Sequence, residues 1–211
     1  MKRLLLCLLP AALPAFGGHQ VTSLAPIVLY AQFQQEPPPP RVFDALKAEL
    51  DSVMAPTDLR FTWRTVAANL GNEASVELAV ITFNGMCDVA GLTPHNSKSG
   101  PLGWTHISDA AILPYAGIDC QAIRSFIQKQ LLALPADKRE ETYGRALARV
   151  VAHELYHIFA NTTKHGARGL GKPAFSVEEL LSPTFRFEAR ESLALRDSKA
   201  HAVLECAALG Q

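Results

Sequence analysis

Three residues that bind metals or move protons fall within five positions of one another: His153, Glu154 and His157. On an α-helix, residues four apart stand one turn above each other on the same face. His153 and His157 can therefore aim two imidazoles at one point. Glu154 stands about 100° round the helix from His153. That is too far round for a third ligand, but near enough to reach a water held between the imidazoles. Two neutral imidazoles beside a carboxylate suit a Zn²⁺ ion with an open coordination position. The plainer reading is two surface histidines on an ordinary helix. The apolar flanks weigh against it, because neither histidine has solvated neighbours.

The stretch 140–161 reads as the helix that would carry these residues. Leu147, Val151, Leu155 and Phe159 form an i, i+4 row for the core, and Ala146, Val150, His153 and His157 form the neighbouring face. A catalytic zinc takes three protein ligands and a water. The apolar pattern stops at Asn161-Thr162-Thr163, and His165 follows with Gly166, Gly169 and Gly171 to let the backbone turn back. His165 can thus swing beneath the helix end and complete a three-histidine site. The rival third ligand is a carboxylate, Glu178 or Glu179, on a helix opening at Ser176. Both have a simpler role as acids in a first helical turn, so His165 is preferred.

The run from His153 to His165 resembles the metzincin clan of zinc proteases, whose pattern is H-E-x-x-H-x-x-G-x-x-H followed by a Met-turn. Three features depart from it. Ala160 stands at the family glycine, Thr163 at the family's third histidine, and the methionines are Met1, Met54 and Met86, none of them downstream. The stretch is similar to secreted bacterial metzincin-like proteins with a later third histidine and a short apolar turn, here Gly169-Leu170-Gly171-Lys172-Pro173. The resemblance implies a zinc-dependent peptide hydrolase acting on a peptide or protein. His153, His157 and His165 would be its ligands and Glu154 its general base. A third ligand at Glu178 or Glu179 would instead resemble the gluzincins. Two other classes stay open: a zinc-binding protein without catalysis, and a secreted scaffold whose histidines bind nothing. An intact Glu154 speaks for the enzyme, because structural sites need no base.

The surrounding elements must position that helix. A helix is expected over 41–54, with Val42, Phe43, Leu46 and Leu50 apolar and Pro56 ending it. Phe61 to Val66 alternates as a strand does, and the apolar run Val76 to Phe83 reads as a central buried strand. Leu102 to Ile107 should be a strand, which the resemblance makes the edge of the cleft, and Ala111 to Tyr115 a further short one. Trp104 is expected in the core, and His106 as a packed or solvated strand residue. Asp119 suits the N-cap of a helix running to Leu134. Helices near 177–181 and 188–208 follow. The fold class is α+β: a small mixed sheet, a long active-site helix and C-terminal helices. Its first strand is either absent or drawn from residues 21–33.

The N-terminus has the positive start, short apolar run and small residues of a secretory signal peptide, with cleavage near residue 17 or after Ala31. A Pro-rich linker over 32–40 and a catalytic domain over 41–211 complete the expected organisation, and the protein should be secreted or periplasmic. No membrane partner is expected once the leader is cut. Of the residues 48% are hydrophobic and 19% charged, and the net charge is zero. With no basic patch, nucleic acid is not an expected partner. Cys87, Cys120 and Cys206 remain after cleavage, and Cys87 with Cys120 is the expected disulfide, joining a strand end to a helix start.

Overall fold

The computed structural model describes residues 25–66, 75–92 and 100–198. A five-stranded sheet is built from β1 (Ala25–Phe33), β2 (Thr62–Thr65), β3 (Ser75–Asn84), β4 (Gly103–Ser108) and β5 (Ala111–Asp119). The strands lie in the order β2-β1-β3-β5-β4. β1 runs parallel to β2 and β3, and β3 parallel to β5, while β4 pairs antiparallel with β5 at the edge. The helices are α1 (Pro40–Met54), α2 (Cys120–Phe126), α3 (Gln128–Ala133), α4 (Ala136–Phe159), α5 (Val177–Leu181) and α6 (Ala189–Arg196). The mixed α and β architecture with one long helix is the expected class. No described helix is long and apolar enough to cross a membrane.

Alternate residues of the inner strands supply one face of the core. Register sets Leu29 beside Ala79, Ala31 beside Ile81, Ile81 beside Ala116 and Phe83 beside Ile118. All are buried in one cluster with Val42, Leu46 and Leu50 of α1 and Leu147, Val151 and Leu155 of α4. Each large side chain buried there contributes roughly 1.5–3 kcal/mol. α1 and α4 approach until a Cβ on Gly144 would lie 2.4 Å from the Val42 carbonyl oxygen. Arg149, fully buried on α4, pairs with Glu49 of α1 at 2.8 Å and donates to the Leu180 carbonyl of α5. Breaking such a buried pair typically costs about 3–5 kcal/mol, so this contact locks the helix that carries the histidines.

The expected domain start at residue 41 is too late. β1 pairs on both sides, and Ile27 to Ala31 are buried. Cleavage after Ala31 would remove the strand joining β2 to β3. Of the two readings the sequence leaves open for this short apolar run, the strand drawn from residues 21–33 is the one found, and the leader reading competes because a parallel strand buried on both faces loses its alternation. The Pro-rich stretch is the β1–α1 connection, with Pro39 extended at the N-cap and Pro40 in the first helical position. The signal-peptide reading over the first 17 residues lies outside the described residues. The helix expected from Asp119 to Leu134 is two helices, broken where Ile127 takes φ −100° and ψ 9°. Asp119 does cap the first, accepting from the Ala122 amide at 2.8 Å. β5 continues four residues past Tyr115, and α4 begins four residues earlier than expected. α6 stops at Arg196, and the rest of that expected helix from residue 199 on lies outside the described residues. Cys87 and Cys120 are bonded, with Cα atoms 4.9 Å apart. Closing a loop of that size stabilises by roughly 3–4 kcal/mol on the chain-entropy account. Cys206 lies outside the described residues.

A candidate three-histidine metal centre

The last turns of α4 hold Arg149, His153 and His157 on one i, i+4 row, with Glu154 beside them, and all four are buried. The helix ends in a hydrogen-bond pattern that itself shapes the site. Asn161 takes the left-handed conformation at φ 46°. The Asn161 amide donates to the Ile158 carbonyl, and the Thr162 amide to the His157 carbonyl. This is a Schellman cap with asparagine in the place usually taken by glycine. It explains why Ala160 needs no glycine: the turn falls one residue later. The cap swings the Thr162 carbonyl back onto the ring of His157, whose Nδ1–H donates to it at 2.6 Å. His153 donates its Nδ1–H to the Leu170 carbonyl, also at 2.6 Å, in the short 3-10 turn Gly169–Gly171.

Those two bonds settle the tautomers. A carbonyl oxygen can only accept, so Nδ1 carries the proton on both rings and each Nε2 presents a lone pair. The two Nε2 atoms are 3.1 Å apart. They cannot hydrogen-bond to each other, since neither has a proton to give. A tetrahedral ion with metal–nitrogen bonds of about 2.0–2.1 Å would hold its ligand nitrogens roughly 3.3 Å apart. His165 completes the group: one donor atom from each of His153, His157 and His165 lies within 4.8 Å of the others. The ring of His165 lies nearly parallel to that of His153 at 5.3 Å and edge-on to His157 at 4.8 Å. Burial holds the pKa of His153 down at about 4 against the pull of its Leu170 bond, and burial lowers His157 as well. Both rings are thus neutral near pH 7, as metal ligands must be. The donor set fits a divalent ion such as zinc. Phe175 packs edge-on against His153 at 5.4 Å and supplies apolar packing beside that ring.

Glu154 is 5% exposed, reaches Thr105 of β4, and is not one of the clustered donors. The Thr105 hydroxyl donates to its Oε2 at 2.8 Å. Burial pushes the Glu154 carboxyl up to about 7, with the Thr105 bond opposing. Gly103 allows the approach, because a Cβ there would lie 2.9 Å from Glu154 Oε1 and 2.8 Å from Val150 Cγ1. A cavity of about 260 Å³ opens over His153, Glu154, His157 and His165, bounded by Trp104, Thr105 and Ile107. A second, of about 400 Å³, lies on the other side of Glu154 between Leu102, Phe126, Val150 and Phe175.

The edge strand borders the cleft as expected. Trp104 does not join the core: it lies flat over Gly117, 36% exposed, at the cleft wall. Its cross-strand partner is that glycine, which gives the ring a floor to lie on. His106 is exposed on the same strand. Tyr156 packs beside the helix against Phe187. The carboxylate rivals stand apart from the histidines. Glu179 closes a capping box with Ser176 and pairs with Lys172, and Glu178 is exposed. Four contributors escaped the sequence reading. Gly103 had a signal, since a glycine inside a strand pattern often marks a close backbone approach. Thr105 had none, and the carbonyls of Thr162 and Leu170 belong to the backbone, where residue type says nothing. The chain matches no protein-family model, no curated protein and no solved structure.

Proposed function

We propose that this chain is an exported, zinc-dependent peptide hydrolase of metzincin-like type. The observation that carries the reading is the convergence of three histidine donors next to a buried carboxylate that is not one of them. A structural zinc site closes all four positions with protein ligands, whereas here three donors face a cavity. When bound, Zn²⁺ would make a water at the open position a nucleophile near neutral pH and polarise the scissile carbonyl. Glu154, the buried carboxylate beside the three donors, would be the group that accepts a proton from the attacking water and returns it to the leaving amine. In the metal-free protein burial raises its carboxyl to about 7, the direction that makes a carboxylate a stronger base. Thr105 holds the carboxylate against the edge strand, and the Leu170 and Thr162 carbonyls keep two ligand rings oriented. The peptide substrate comes from the motif's resemblance, and export from the leader-like first 17 residues.

Protein purified without a His tag should contain one zinc per chain by elemental analysis and should cleave a mixed peptide library. Glu154→Gln should keep the zinc and lose turnover. Stoichiometric zinc with no cleavage of any peptide by the wild type would reject the enzyme and leave a binding protein. N-terminal sequencing of exported protein that begins at Met1 would reject the leader.

A further inference from the structure

Glu191 stands in the first turn of α6, is 2% exposed, and has an Oε2 atom with no hydrogen-bond partner. The start of α6 carries no side-chain cap bond, in contrast to the capping box that occupies Glu179 on α5. Burying a carboxylate oxygen without a partner is costly, and an apolar residue would fill the same space more cheaply. Its surroundings indicate what the carboxylate does. A Cβ on Gly166 would lie 2.3 Å from Glu191 Oε1, and one on Gly171 would lie 2.5 Å from Glu191 Cγ. The side chain therefore presses directly on the backbone at both ends of the loop 166–171. The Gly166 amide donates to the Gly171 carbonyl at 2.7 Å, tying those ends together. The loop tip is held from the same side, where the Leu170 amide donates to the Arg186 carbonyl. His165 enters this loop, and the Leu170 carbonyl that orients His153 leaves it.

We propose that Glu191 is a positioning residue of the metal centre: its carboxylate seats the loop that presents His165 and the Leu170 carbonyl, and its negative charge partly offsets that of the bound cation. The inference rests on the metal-site reading above. Histidine ligands bring no negative charge to a divalent ion, and two of the three, His153 and His157, are buried. A carboxylate one layer behind the ligand backbone lowers the cost of holding the ion there without occupying a coordination position.

The test is zinc affinity, read by competition with a chromophoric chelator, in wild type, Glu191→Gln and Gly166→Ala. The melting temperature of each metal-free protein and the absorption spectrum of its cobalt(II) form are recorded alongside. Glu191→Gln keeps the shape and removes the charge. It should melt close to wild type without metal, keep the cobalt band positions, and bind zinc at least about tenfold more weakly. Gly166→Ala keeps the charge but displaces it, and should weaken zinc while moving the cobalt bands. Wild-type affinity in Glu191→Gln would overturn the role of the charge and reduce Glu191 to a space filler. Wild-type affinity and bands in a folded Gly166→Ala would overturn the seating of the loop. A wild type that takes up no zinc would overturn the metal reading itself, and Glu191's role with it.

Discussion

Gly144→Ala puts two known effects in opposition, and the structure decides the sign. Glycine inside a helix is worth roughly 0.5–1 kcal/mol less than alanine, so on the helix alone the substitution stabilises. Gly144, however, faces α1. A Cβ there would lie 2.4 Å from the Val42 carbonyl oxygen, 2.8 Å from Ala45 Cβ and 3.1 Å from the Leu46 amide nitrogen. Two of the three are backbone atoms that no rotamer change can move, so the helices must separate by most of an ångström. Overpacking of this kind costs about 1–3 kcal/mol. Separation would also loosen the Arg149–Glu49 pair, which spans the same two helices at 2.8 Å. The net expectation is a loss of roughly 1–2 kcal/mol. At about 2–4 °C per kcal/mol for a chain of this size, that is a drop of several degrees in the melting temperature. Calorimetry of the metal-free protein reads it without any assumption about activity. Adding Ala45→Gly removes one of the three close contacts but brings its own glycine cost inside α1, so it should recover little or none of the loss. A Gly144→Ala variant that melts higher than wild type would refute this account of the α1–α4 contact.

His165→Ala should weaken zinc by at least about tenfold in equilibrium dialysis, while Glu178→Gln and Glu179→Gln hold it as wild type does. The opposite result would make the centre gluzincin-like. In metal-free protein, His153 sits near pKa 4 when folded and 6.5 when unfolded. A lowered histidine pKa means that the unfolded chain binds the proton first. Stability is therefore full above pH 6.5 and lost as pH falls toward 4, by roughly 3 kcal/mol from this residue. Urea titrations across that window should show wild type losing more stability than His153→Gln as pH falls, the difference between the two isolating this residue from His157 and Glu154, which also titrate away from their ordinary ranges. The β4–β5 hairpin turns on Asp109 and Ala110, at φ 49° and 62°. Left-handed backbone costs a non-glycine residue about 1–2 kcal/mol, partly offset by glycine's larger unfolded entropy, and Asp-Gly is a favoured pair in such turns. Ala110→Gly should therefore raise the urea midpoint, and a lowered midpoint would show that the turn is not strained.

Relations set by a few residues of spacing were legible in the chain itself. Two histidines four apart with a glutamate between them define a helical face wherever that helix lies, because helix pitch is local. For the same reason Asp119 announced a helix start, Asn161 a helix end just past the apolar row, and Val76 to Phe83 a buried strand. The Cys87–Cys120 pairing was legible as a preference, one cysteine following a strand and the other opening a helix, and the structure bonds them. Only packing could decide how distant segments meet. The run Ile27 to Ala31 is equally apolar in a leader or in a parallel strand, and its pairing with β2 and β3 makes it the latter. Trp104 lies on Gly117 of the neighbouring strand and stays partly exposed on the edge strand, a placement that only the strand order decides. The tautomers of His153 and His157 are set by carbonyls that any residue type would offer, so no letter of the sequence encodes them. The value near 7 at Glu154 depends on burial between α4 and β4, whose glycine and threonine lie about fifty positions away along the chain. Such distances are closed by the burial of apolar surface over the whole sheet, a sum over many residues that no short motif contains.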